Sequence, residues 1–99
     1  DFIYISDVID AIILSIKKIE NKNGECYNIG TETSISINEL GKIMLKLFSK
    51  NLEIIHMPSK KGDIQFSQAS MKKTKNELDF MPKISLKEGL MSLSKNIKI

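Results

Sequence analysis

The 99-residue chain reads as an α/β unit, a small β-α-β-α-β-loop-α-α arrangement. Three observations carry that reading. Short apolar runs bounded by turn residues alternate with longer stretches whose apolar residues recur every three or four positions. Two Ser-x-x-Glu patterns, Ser36/Glu39 and Ser85/Glu88, mark helix starts. Asn, Gly and Pro fall between these stretches, where turns are needed.

The first strand is "FIYI", after which Ser6 or Asp7 is placed to cap a helix. Apolar residues follow at Val8, Ile9, Ile12, Ile13, Ile16 and Ile19, a face of helical period. That helix is expected to fade between Asn21 and Gly24. "ECYNIG" is a second short strand. The Ser36 capping box then opens a helix whose stripe of Ile37, Leu40, Ile43, Met44, Leu47 and Phe48 is expected in the core. A third strand runs from Leu52 to Met57, and Pro58 stops it. Beyond a polar loop, Ser70 is placed to cap a short helix through Leu78. The Ser85 box opens the last helix, with Leu86, Leu90, Leu93 and Ile97 on one side. The first helix carries more aliphatic surface than a chain of this length can cover, which is expected of a piece of something larger.

Composition is that of an ordinary globular chain, 41% hydrophobic and 27% charged, and one domain is expected over residues 1–99. The net charge is +3, and all fifteen basic residues are lysine. Readers of nucleic acid favour clustered arginine with aromatic platforms. These lysines are scattered among acids, so a solvated surface under a coding bias explains them, and no nucleic-acid partner is expected. Cys26 is the single cysteine, which excludes an internal disulfide and a thiolate zinc cage. It reads as a small buried hydrophobe. No run approaches the roughly eighteen apolar residues of a membrane helix, and no signal pattern opens the chain. A cytoplasmic protein without a membrane partner is expected.

The constellations of catalysis are missing. The five glycines fit neither a dinucleotide fingerprint nor a P-loop. His56, the only histidine, lies in the third strand with no partner for general-base work. Carboxylates explain themselves as caps, first-turn acids or surface charges. What remains is the loop "MPSKKGDIQFSQAS", Met57 to Ser70. A lysine there can neutralise a phosphate, Gly62 lets a backbone come close, and Asp63 can accept from a sugar hydroxyl. From these four residues, Lys60 to Asp63, a plain surface turn is the favoured reading.

Taken in series, "DFIYISDVIDAI", "CYNIG", "TSISINEL", "MPSKKGDIQFSQAS" and "KTKNELDFMPKISLKEGL" resemble the C-terminal part of NAD-dependent epimerase/dehydratases. These are the extended short-chain dehydrogenases, among them UDP-glucose 4-epimerase. The resemblance covers almost the whole chain. It implies the C-terminal substrate-binding portion of such an enzyme without its Rossmann half, holding a nucleotide-sugar, a UDP-sugar first of all. The family carries Arg-x-Gly-Asp in the loop, its arginine on the diphosphate and its aspartate at the ribose. Lys60 stands at that arginine and Asp63 at that aspartate.

The departures are informative. Lysine offers one compact charge where arginine offers a planar fork, so weaker diphosphate binding is implied. Ser70 stands where the family has aspartate, and Asp79-Phe80 where it has glycine and tryptophan. The family's Tyr-x-x-x-Lys pair is absent, since Tyr4 is followed four residues later by Val8 and Tyr27 by Thr31. The resemblance therefore implies a chain inactive alone, with NAD bound by the N-terminal half of a parent enzyme. Exposed edges would drive oligomerisation or strand exchange. The alternative is a free-standing, non-catalytic binding module that kept the fold.

Overall fold

The structure, a computed structural model, describes residues 1–18, 20 and 24–97. Among them are four helices, α1 (Ile5–Lys17), α2 (Ile37–Leu47), α3 (Lys72–Leu78) and α4 (Leu86–Asn96). No strand occurs among the described residues, and this corrects the α/β reading. A strand is defined by a ladder to a neighbour, and apolar alternation supplies the candidate without the neighbour. The segment expected as the second strand shows the reason. Its Asn28 carbonyl accepts from the Thr74 hydroxyl at 2.6 Å, and its Gly30 N–H faces the Met71 sulfur at 3.1 Å. Side chains of the α3 region hold this backbone where a sheet would.

The core lies between α1 and α3. Ala11, Met71, Leu78 and Phe80 are buried, with Ile3, Leu14, Tyr27, Ile29 and Ala69 packed against them. α1 begins two or three residues earlier than its polar residues suggested, with Tyr4 at the N-cap and no side-chain cap bond. Ser6 and Asp7 are therefore not caps. Asp7 instead turns inward, 1% exposed, and its two oxygens accept the N–H groups of Lys83 and Ile84 at 3.1 and 3.0 Å. The face of α1 that meets the core is Asp7, Ala11 and Leu14. Its isoleucines look the other way: Ile5, Ile9, Ile12 and Ile16 are 61, 49, 54 and 64% exposed. At 100° per residue these four fall within about 60° of one another, a single unpartnered stripe. Ile19 and the helix end expected over residues 21–23 lie outside the described residues.

The two capping boxes hold. In each, the serine accepts from the glutamate N–H and the glutamate returns to the serine N–H. Among the described helices α2 packs against α4 alone, and it buries no residue completely. Ile37 and Met44 are exposed, so the expected core stripe is half-covered, because one neighbour cannot enclose a helix face. α4 is tied to the first segment through Tyr4. The ring lies where a Cβ on Gly89 would stand 2.9 Å from it, and the Tyr4 hydroxyl pairs with Ser92 at 2.8 Å. α3 starts at Lys72 with Met71 at its N-cap, so Ser70 makes no cap.

Candidate functional site

The Lys60–Asp63 loop stands on the exposed run 55–68, where every residue is open to solvent. Two bonds close it. The Asp63 N–H donates to the Lys60 carbonyl at 3.2 Å, and the Lys60 N–H donates to Asp63 Oδ2 at 3.2 Å. Gly62 between them has φ of +93°, a conformation that glycine adopts freely and that belongs to the third position of a type II turn. The structure thus brings Lys60 and Asp63 together within one turn. The ammonium groups of Lys60 and Lys61 project from a ring that the chain itself has closed.

Other residues considered for chemistry have structural partners. His56 Nε2 pairs with Asn38 Oδ1 at 2.8 Å. Cys26 is exposed, where the sequence suggested burial. The Tyr27 hydroxyl donates to Glu77 at 2.7 Å, and partial burial with that carboxylate pushes its pKa up to about 12. Tyr27 also lies beneath the Lys73 ammonium, 5.0 Å from the ring centre. No cluster of His, Cys, Asp or Glu among the described residues could hold a metal. Among them, no helix is long and apolar enough to cross a membrane.

Sequence reasoning missed the clefts. One of about 410 Å³ runs between Ser34–Ser36 and Gln65–Gln68, with Glu39 also in its lining. A second, of about 600 Å³, continues past Ile35 toward Ile43, Pro82 and Leu86. Lys60 and Asp63 line neither, though the loop leads directly into the 65–68 wall. That wall is anchored from below. Glu32, in the left-handed region at φ +60°, accepts the Met71 N–H at 2.7 Å and the Lys75 ammonium, while its carbonyl accepts from Gln68 at 2.6 Å. Asp1 gathers the N–H groups of Thr31, Glu32 and Ala69 on one carboxylate. No local pattern marks either acid, because their partners lie far along the chain.

A dinucleotide site needs glycines that let backbone close on a pyrophosphate. Here Gly41 and Gly89 face Ile54 and Tyr4, Gly30 is enclosed by Ala69 and Asp1, and Gly24 and Gly62 open on empty space. These residues do not fit NAD.

No protein-family model matches the chain. UDP-glucuronate 4-epimerase of Thermodesulfobacterium geofontis is 33% identical over 91 residues, covering 91% of this chain and 27% of that protein. UDP-glucose 4-epimerase of Bacillus subtilis is 30% identical over 89 residues, covering 89% and 26%. The chain thus spans about a quarter of the length of the curated relatives it matches. A crystal structure of UDP-glucose 4-epimerase from Thermotoga maritima with UDP-glucose superposes with a TM-score of 0.84 at 31% identity. It covers 99% of this chain and 32% of that one. By these likenesses the chain is similar to NAD-dependent epimerases and dehydratases, and it matches the C-terminal region of an epimerase.

Proposed function

We propose that residues 1–99 form a single domain, the nucleotide-sugar-binding portion of an NAD-dependent sugar epimerase or dehydratase. The observation that carries this is the close superposition, over nearly the whole chain, on an epimerase solved with UDP-glucose. In this reading Lys60 offers its ammonium to the diphosphate, and Asp63 offers its Oδ1 to a ribose hydroxyl. Lysine recognises phosphate as a point charge, without the two-point fork of arginine.

The chemical steps are assigned to polypeptide outside these residues. Sugar oxidation in this family needs a tyrosine that gives up its proton easily and a hydride acceptor, which NAD supplies when bound. Tyr27 is engaged with Glu77 and holds its proton more firmly than a free tyrosine, and Tyr4 is paired with Ser92. Neither has a lysine four residues on. The chain alone is therefore inactive, and its partner is an N-terminal Rossmann half. The isoleucine stripe of α1 is covered by that half, or by a second copy when this chain stands by itself.

Calorimetric titration of the chain with UDP and UDP-glucose tests the reading. Binding at millimolar concentration or tighter is expected, weakened about tenfold or more in Lys60→Ala. Lys60→Arg should tighten it. Absence of binding by the unaltered chain, or an unchanged affinity in Lys60→Ala, overturns the assignment of the loop.

A further inference from the structure

We infer that Asp63 positions Lys60 for an anionic ligand, in addition to any contact with a sugar hydroxyl; this rests on the nucleotide-sugar reading above. The geometry is the pair of bonds joining residues 60 and 63, one in each direction. The backbone bond runs from the Asp63 N–H to the Lys60 carbonyl. The side-chain bond runs from the Lys60 N–H to Asp63 Oδ2. Without the second bond the turn hangs on one long hydrogen bond and a glycine, the least restrained residue in the unfolded or loosened chain. With it, the Cα of Lys60 is fixed relative to Asp63, and its ammonium starts from one anchored point.

Electrostatics makes the inference sharp, because it predicts the opposite sign. A carboxylate three residues from a phosphate-binding lysine repels the phosphate and competes for the ammonium. If Asp63 had no part in shaping the turn, removing its charge would tighten the binding of a bare anion. A carboxylate that orders the turn reverses this. Alanine loses both the charge and the acceptor, whereas asparagine loses the charge and keeps an acceptor oxygen for the Lys60 N–H.

The test uses the full chain with two probes, UDP and inorganic pyrophosphate, the second lacking any ribose. In Asp63→Ala both affinities should fall by a similar factor, on the order of fivefold, the net worth of an ordinary hydrogen bond. In Asp63→Asn the pyrophosphate affinity should equal or exceed that of the unaltered chain. A pyrophosphate affinity that is unchanged or raised in Asp63→Ala, with UDP alone weakened, overturns the inference and leaves Asp63 a ribose contact. Amide hydrogen exchange at Lys60 supplies a ligand-free reading. Faster exchange in Asp63→Ala, restored in Asp63→Asn, supports the turn, and equal exchange in all three chains overturns it. If the unaltered chain binds neither probe, the nucleotide-sugar reading fails, and the exchange result decides the turn by itself.

Discussion

Asp7 carries a charge into one of the least accessible places in the fold. Taking a carboxylate out of water costs several kcal/mol unless its oxygens are matched. Here each oxygen accepts one backbone N–H, from Lys83 and Ile84, so the side chain pins the start of α1 to the approach to α4. Asp7→Ala strips two donors beside the core of their acceptor and should lower unfolding free energy by about 3 kcal/mol. Asp7→Asn, with one acceptor oxygen left, should fall between the two. Urea unfolding midpoints measure this, and a loss below about 0.5 kcal/mol for alanine would reduce Asp7 to a surface-like residue. The sequence showed Asp7 as a candidate cap or first-turn acid of the helix and nothing more. Its partners stand 76 and 77 positions away, beyond the reach of any local pattern. Asp79 is a companion case. It occupies φ +53° at the end of α3, a conformation that glycine adopts more freely, and it accepts from the Lys18 ammonium at 2.6 Å.

At the scale of elements, the two capping boxes were legible locally, whereas the single-residue caps expected at Ser6 or Asp7 and at Ser70 were not formed. Both capping boxes lie within four residues of chain, and α2 and α4 begin where they say. Strands could not be read, because alternation shows readiness to pair and the described residues contain no ladder. For α1, periodicity revealed an apolar face but could not say which face would be covered; the covered one holds Asp7, Ala11 and Leu14. Contacts between elements also set the response to acid. The ammonium of Lys75, then the Met71 N–H, hold the Glu32 carboxyl below its ordinary value of 4.5. A depressed carboxylate contributes stability above its unfolded pKa and loses it as pH falls through the folded one. Glu39 and Glu88, held down by their capping serines, add in the same direction. Thermal unfolding midpoints should therefore drop as pH falls below about 4.5. Glu32→Gln should start lower at neutral pH and decline less steeply. An acid limb identical to that of the unaltered chain would show that the link from Glu32 to α3 adds nothing.

As a whole the molecule is open. Its radius of gyration is 16.6 Å, against about 13 Å for a close-packed chain of this length. It is a slab of 52 × 34 × 18 Å, and among the described residues the buried hydrophobic ones number four. A slab of this shape leaves much of its apolar surface open, and the isoleucine stripe of α1 is one result. Contiguous apolar patches on soluble proteins mark contacts. At high concentration the isolated chain should associate through α1, and Ile9→Glu with Ile12→Lys should return it to monomer. Sedimentation velocity checks this, and a monomer at every concentration would remove the stripe as a contact. The candidate loop was legible at this scale only through five segments in series, since four residues of loop are indistinguishable from a common turn. The clefts beside it were not legible, because their walls come from four separate stretches of chain.

The pins that hold this slab together also set when it can form. Asp7 reaches Lys83 and Ile84, and Asp1 reaches Ala69 across 68 positions. Closing loops of that size is unfavourable until the contacts they permit are made, and such topologies fold slowly. During synthesis α1 emerges ahead of α2, α3 and α4, yet its buried acid finds no partners until residues 83 and 84 have left the ribosome. Until then its two faces are equivalent to solvent, the one that will be covered and the one that will not. Folding of this segment is therefore a late, concerted closure from both ends, not a growth outward from its first helix.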